Sequence, residues 1–345
     1  MIAAGTGTGS RLRVCFFANV ESREVLERVQ FYATDLRILR DLGHDVIIAT
    51  RFGEIPGDCD FYFVWWWTYA CLPLIKARLA GKPCAITGVF DYDTCAGLGS
   101  VAYVDRPVWQ KLLMRGALYF AHANAFVSAY EFEQVTKVLP VNNPCLIPLV
   151  VDTARYSPAA VQKKPYFFNV AWSGEQNATR KCLPQIIRAF ALVAVDQPGV
   201  RLVMAGKQGE YHSRLVALAE ELGLRGRIDF LGVISEEEKI ARMQECYAYL
   251  QPTRFEGFGL ALAEAMACGA AVISSPVGAI PEVVDGAGLM VDGTDHRAIA
   301  DVLRRLLSDT ALRDDLARRA VHHITTNFGY SRRRQGIADL ITELA

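Results

Sequence analysis

Long apolar runs are missing from this chain: nowhere do about eighteen apolar residues stand together, which removes the sequence signal of a membrane-spanning helix. No charge of one sign dominates, since 37 Lys and Arg balance 37 Asp and Glu spread through both halves. With neither a basic face nor a nucleic-acid-binding motif, nothing favours an RNA or DNA partner. The nine cysteines include no Cys-x-x-Cys pair, and most sit in apolar contexts such as Val14-Cys15-Phe16 and Ala267-Cys268-Gly269. Reduced thiols of a cytosolic protein are expected, rather than disulfides or zinc. The loop Asn19-Val-Glu-Ser22 after the first apolar run carries no glycine, so the dinucleotide fingerprint of a dehydrogenase is absent. Residues 1–10 lack a charged region followed by an apolar core and are expected to form a disordered leader, not a signal peptide.

What is present is a soluble composition, 52% hydrophobic and 21% charged, over 345 residues. That length suggests two domains of roughly 150 residues each. Arg13 to Ala18 and His44 to Thr50 read as buried strands flanking a helix with Val25, Val29, Tyr32, Leu36 and Leu39 on one stripe. Strands at Asp60–Trp67, Lys82–Thr87, Asn124–Val127 and Cys145–Pro148 continue the alternation, and Ser128 to Glu131 is a capping box. After a linker from Asp152 to Pro165 the pattern repeats, with strands near Tyr166, Arg201, Ile228, Tyr247, Ala271 and Gly288. The class is α/β, doubly wound, in two similar halves with a cleft expected between them. Trp65 to Trp67 favour a buried strand over a sugar platform or a membrane contact, with the alternation leaving room for one exposed Trp. Arg332 to Arg334 favour a solvated helix face over a lipid site. His44 and His122 favour structural roles.

The stretch richest in chemistry runs from Arg254 to Gly269. A short β-prone run ends at Pro252, Gly257 and Gly259 allow a turn, and an Ala- and Leu-rich helix begins at about Gly259. Its first amides, from Gly257, Phe258, Gly259 and Leu260, make an anion site. Glu256 precedes the helix, and Glu264 in its second turn can reach back toward the same place. Two carboxylates would repel an anion, so each is read as accepting from neutral hydroxyls on either side of phosphates, which describes a sugar nucleotide. Arg180 and Lys181, in the polar loop after the strand near Tyr166, suit phosphate neutralisation. Gly206 and Lys207 lie at another strand end, where Lys207 is either a phosphate contact or a solvated lysine. Val233 follows a strand where backbone can read a base edge. Asp91 and Asp93, after the fourth strand, are candidate acceptor contacts or turn residues, and Asn19 at the end of the first strand joins them.

The run Glu256-Gly-Phe-Gly-Leu-Ala-Leu-Ala-Glu264-Ala-Met-Ala-Cys-Gly resembles the paired-glutamate signature of retaining GT-B glycosyltransferases of family 4. Supporting segments are Gly43-His-Asp-Val, Ile147 to Thr153 with Tyr156 and Pro158 beyond, Phe230-Leu-Gly-Val and Pro276 to Val284, and the likeness is dense from about Val170 onward. The resemblance implies that Glu264 binds the donor ribose, Glu256 holds the transferred sugar, the amides around Phe258, Gly259 and Leu260 cradle the diphosphate, and Lys181 neutralises it. It also implies a last helix, about Tyr330 to Leu344, that returns to the first domain and hinges the cleft. The chain departs from the pattern at Asn19 to Ser22, where the family has a glycine loop. It departs again at Gly88 to Asp91, where a histidine is frequent, and at Trp172-Ser173, where an arginine is usual.

The implied organisation is residues 11–160 as the acceptor domain, 161–328 as the nucleotide-sugar domain and 329–345 as the returning helix. The expected activity is transfer of a hexose-type sugar from a nucleotide-diphosphate sugar to an acceptor hydroxyl on a glycan, lipid or small molecule, with retention and with no metal or other cofactor. A sugar-nucleotide epimerase or hydrolase, or a non-catalytic sugar-nucleotide-binding subunit, remains an alternative. The expected location is cytoplasmic, with peripheral contact at the inner face of a membrane left open.

Overall fold

The computed structural model describes residues 11–97 and 102–345, and the expected leader, residues 1–10, lies outside them. The described residues form two compact units. One comprises 11–90, 106–149 and 330–345; the other comprises 91–97, 102–105 and 150–329.

The first unit is built on six parallel strands: β1 Arg13–Ala18, β2 Asp45–Ala49, β3 Phe61–Trp65, β4 Cys84–Gly88, β5 Ala123–Phe126 and β6 Pro144–Leu146. Their order is β2-β1-β3-β4-β5-β6. The side chains of β3 and β4 are buried on both faces, as a parallel sheet between helical layers requires. The single stripe expected from Val25 to Leu39 is two helices, Arg23–Arg28 and Gln30–Asp41, broken where Val29 takes an extended backbone. The tryptophans are core: Trp65 Nε1 donates to Asp35 at 3.1 Å and Trp67 Nε1 to Asn124 at 2.8 Å. No exposed member remains, because Trp66, at φ +78°, is half-buried and bonds the Tyr32 hydroxyl. His44 and His122 each accept a backbone amide, from Leu12 and Cys84, and burial lowers both pKa values. Ser128 caps its helix as expected, accepting from the Glu131 amide.

The helix Tyr330–Leu344 belongs to the first unit. Its Arg333 is 1% exposed and grips Asp35 through two nitrogens, at 2.5 and 2.8 Å, while donating to the carbonyls of Ile147 and Pro148. The solvated face expected for Arg332 to Arg334 is therefore incorrect at Arg333, because Asp35 supplies a buried counter-charge from 298 residues away.

The second unit repeats the architecture with β7 Tyr166–Val170, β8 Arg201–Ala205, β9 Ile228–Gly232, β10 Ala248–Gln251, β11 Val272–Ser274 and β12 Leu289–Met290, all parallel, in the order β12-β11-β10-β7-β8-β9. Phe167, Leu202 and Leu250 pack with Ile186 and Phe190 of the helix Leu183–Ala194 on one face of this sheet. The chain builds outward from β7 to β9, then returns to lay β10 on the other side of β7. That reversal is a topological switch point, where loops leaving neighbouring strand ends diverge and open a crevice.

The expected boundary at 160 falls instead at Leu149, and the stretch read as a linker is packed into the second unit. Val151 bridges Gly329, Tyr156 is buried, Gln244 donates to the Ser157 carbonyl, and Lys163 donates to the carbonyls of Gln244 and Gly269. The described residues after β4, 91–97 and 102–105, also join this unit.

Candidate functional site

Three charged side chains meet at the switch point between β7 and β10. After β7 the chain forms a short helix, Glu175–Arg180, so Arg180 and Lys181 stand at a helix end and not in the open loop expected. The Arg180 carbonyl is tied to the end of β10 by the Arg254 amide at 2.8 Å and the Thr253 hydroxyl at 3.0 Å. This brace turns both cations onto Glu256. Arg180 donates to Glu256 Oε1 at 2.9 Å and to the Phe255 carbonyl at 2.8 Å, and Lys181 Nζ approaches the same carboxylate at 2.6 Å. Burial raises the Glu256 pKa, but the two cations outweigh it and hold the carboxyl below its ordinary value. Burial also lowers the Lys181 pKa, with Glu256 opposing. Two cations and one carboxylate leave the cluster a surplus positive charge, which suits an incoming anion.

The helix Leu260–Ala267 starts beside this cluster, with Gly259 as its N-cap at φ +89°. A Cβ at Gly259 would lie 2.8 Å from Ile280 Cδ1, so the left-handed turn is closely packed as well as conformationally selective. The Glu256 carbonyl is fixed from the other side by the Ala279 amide at 2.9 Å, and a Cβ at Gly278 would lie 2.2 Å from that carbonyl oxygen. Phe258 is buried edge-on against Phe328, and the free amides of the first turn follow it.

Glu264, 4% exposed, is not free to solvent. Lys239, from the helix Glu236–Glu245, donates to Glu264 at 2.8 Å and pairs with Glu236 as well. The Lys239 ammonium lies 5.2 Å from the Tyr156 ring centre, and the Tyr156 hydroxyl bonds Glu236. Burial raises the Glu264 pKa against the opposing pull of Lys239. For Lys239 burial acts downward, and the attraction of Glu264 and Glu236 wins, raising it. Lys239 carries no signal in the sequence, where it reads as one more charge in Glu236-Glu-Glu-Lys, and Tyr156 is marked there only by the family resemblance, with no role attached to it.

The remaining expected residues divide. Gly206 and Gly232 are joined across β8 and β9 by a 2.7 Å backbone bond, which places Gly206 and Val233 at adjacent strand ends. Val233 is 76% exposed. Lys207 points to solvent while its carbonyl accepts from the Ser173 amide at 3.0 Å. Asp91 follows its turn reading: its carboxylate accepts from the amides of Thr94 at 2.9 Å and Cys95 at 3.0 Å, and burial raises its pKa. Asp93 is exposed in the same turn, and Asn19 is half-buried directly after β1. Two Asp-x-Asp pairs occur, Asp58 with Asp60 and Asp91 with Asp93. Asp58 pairs with Arg13, Asp60 with Lys82 and Asp91 with its own turn. Among the described residues no three metal-ligating side chains stand together. All nine thiols are free, seven of them buried.

Two parallel six-stranded α/β sheets, each wound with helices, define the fold of GT-B glycosyltransferases, and solved structures of that class superpose on the chain. HepE of Anabaena, crystallised with UDP and glucose, matches with a TM-score of 0.77 at 15% identity over 97% of this chain and 100% of its own. Sucrose-phosphate synthase of Thermosynechococcus elongatus matches with a TM-score of 0.69 at 18% identity over 94% and 80%. Residues 157–323 match the family described as glycosyl transferases group 1. A serotype-specific mannosyltransferase of Escherichia coli is 34% identical over 145 residues, 41% of this chain and 18% of that protein. A D-inositol 3-phosphate glycosyltransferase of Corynebacterium jeikeium is 33% identical over 170 residues, 47% of this chain and 40% of that protein. The chain therefore spans well under half the length of these curated relatives.

Proposed function

We propose that this chain transfers a hexose-type sugar from a nucleotide-diphosphate sugar to an acceptor hydroxyl with retention of configuration. The observation that carries the reading is the grip of Arg180 and Lys181 on Glu256 at the switch point, beside the amides that open the helix Leu260–Ala267. As the bond from sugar to diphosphate breaks, negative charge grows on the leaving group and positive charge on the sugar. In this reading Arg180, Lys181 and the amides from Phe258 to Leu260 stabilise the leaving group, each well-placed donor contributing about 2.7–4 kcal/mol. Glu256, released from the cations as phosphate replaces it, takes the sugar hydroxyls. Glu264, aimed by Lys239, takes the ribose hydroxyls, and the exposed Val233 lies under the base. The positive charge comes from side chains and amides, so turnover is expected to survive chelation of divalent ions. The mannosyltransferases and inositol-phosphate glycosyltransferases among the relatives support a hexose-type donor. Buried free thiols support a cytoplasmic setting, and a lipid-linked acceptor would bring the enzyme to the inner face of a membrane.

The test is incubation with a panel of labelled donors, with and without lipid and glycan extracts. Acceptor-dependent nucleotide release with product of unchanged anomeric configuration is expected. Epimerised or hydrolysed donor without an acceptor, or binding without turnover, would replace this reading. Glu264→Gln is expected to weaken nucleotide affinity about tenfold or more, and Glu256→Gln to slow turnover at similar affinity. Unchanged kinetics in both variants would refute the assignment.

A further inference from the structure

Two neighbouring helices of the first unit expose an apolar face that the sheet does not use. In the helix Cys71–Leu79, Pro73, Leu74 and Ala77 face the core, while Leu72, Ile75 and Leu79, at positions i, i+3 and i+7, face solvent. In the helix Val108–Phe120, Met114, Ala117 and Leu118 are buried, while Val108, Leu112 and Tyr119 form an outward stripe flanked by Trp109 and Phe120. Exposure reaches 85% at Leu79, 72% at Val108 and 62% at Leu112. The two stripes are joined by Arg78, whose guanidinium lies 5.3 Å from the Phe120 ring centre and donates to the Phe120 carbonyl at 2.8 Å. A helix apolar on both sides is normally buried, and a contiguous exposed apolar face with a charged rim marks an interaction site.

The charge of the rim selects the occupant. Neither helix contains Asp or Glu, and together they carry Lys76, Arg78, Lys111 and Arg115. Docking a second copy of the same face would set cations against cations with no carboxylate to answer them. An anionic bilayer answers both parts. Lys and Arg stems lie along apolar surface with their charges at the headgroups, and Trp and Tyr prefer the same interfacial depth. We propose that the paired faces of Cys71–Leu79 and Val108–Phe120 dock this protein onto the surface of an anionic lipid bilayer. The surface gives a location to the membrane contact named above but does not depend on the transfer reading, since adsorption needs no donor.

The test is co-sedimentation of the full chain with phosphatidylcholine vesicles, alone or doped with phosphatidylglycerol. Binding to the doped vesicles alone, weakened by added salt, is expected. Arg78→Gln with Arg115→Gln is expected to cost roughly 25-fold in vesicle affinity, about fivefold per cation, and Val108→Asp with Leu112→Asp to abolish sedimentation. Arg78→Gln gives up a surface hydrogen bond to the Phe120 carbonyl, and the other changes lie at exposed or half-exposed side chains. All variants should therefore stay folded within a few degrees of the parent melting temperature and keep donor turnover in solution, and Arg332→Gln with Arg334→Gln should still sediment. Equal binding to neutral vesicles, no binding to either, or loss of binding in the Arg332 and Arg334 variant would overturn the proposal. So would a dimer that Val108→Asp with Leu112→Asp converts to monomer without vesicle binding. Turnover read on the same variants keeps failure of the docking face distinct from failure of the transfer reading.

Discussion

Lys239 is held between two carboxylates, and its position explains how Glu264 can be almost fully buried and still act as an acceptor. Without Lys239, an ionised Glu264 in that site would lack its main counter-charge and would take up a proton more readily. Its carboxyl already titrates above the ordinary value because of burial. Removing Lys239 moves it further in the same direction. Lys239→Met is therefore expected to weaken nucleotide affinity about tenfold or more near neutral pH, with affinity recovering as pH rises through the elevated Glu264 pKa. Lys239→Arg should restore most of the loss. Calorimetric titration of UDP and GDP against pH checks this, and a loss independent of pH would reduce Lys239 to a packing role. The partner of Glu264 was illegible in the sequence for a plain reason. Lys239 sits in a charge run typical of a solvated helix, and only the packing of Glu236–Glu245 beside Leu260–Ala267 turns it inward. Glu256, by contrast, stood out because its neighbours Gly257 and Gly259 announce a turn before a helix.

The turn before Leu260–Ala267 is constrained from both ends, and Gly259 within it differs from Gly278, which packs against it from the loop after β11, in what a side chain would meet. At Gly259 an added Cβ meets the far end of the Ile280 side chain, which can move; the left-handed backbone then sets a cost of about 1–2 kcal/mol. At Gly278, with φ +57°, the Cβ meets the backbone oxygen of Glu256, so the residue that carries the proposed catalytic carboxylate must shift. Gly278→Ala is expected to lower kcat/KM far more than Gly259→Ala, by more than its larger loss of melting temperature accounts for when both are assayed well below their melting temperatures. Equal effects on turnover would show that the position of Glu256 is not what Gly278 protects. Strand identity was legible for all twelve strands, because strands buried on both faces, such as β3, β4 and β10, read as short apolar runs, and the less buried β2, β6, β9 and β12 recur at the same intervals between helical stripes. What was not legible was punctuation. The break at Val29 carries neither Gly nor Pro, the short helix Glu175–Arg180 has a polar sequence, and the segment Asp152 to Pro165 resembles a linker until its hydrogen bonds are seen.

At the scale of the whole chain, the ends of the first unit are joined by one buried ion pair, Arg333 to Asp35, with Trp65 donating to the same carboxylate. Such a pair adds little over well-packed apolar residues, but breaking it strands a charge in the core at a cost of about 3–5 kcal/mol. Asp35→Ala should therefore destabilise the first unit by roughly that amount, and Asp35→Leu with Arg333→Met should recover most of it. The chain supplies its own probe: Trp65, Trp66, Trp67 and Trp109 lie in the first unit and Trp172 in the second. Denaturant unfolding followed by tryptophan fluorescence should move its main transition to lower denaturant in Asp35→Ala. Affinity for the nucleotide should stay unchanged, since Glu256, Lys181, Glu264 and Lys239 all belong to the second unit. An unchanged transition would mean that the ion pair does not fasten Tyr330–Leu344 to its unit. A parallel loss of nucleotide affinity would mean that the donor residues depend on the first unit for their geometry.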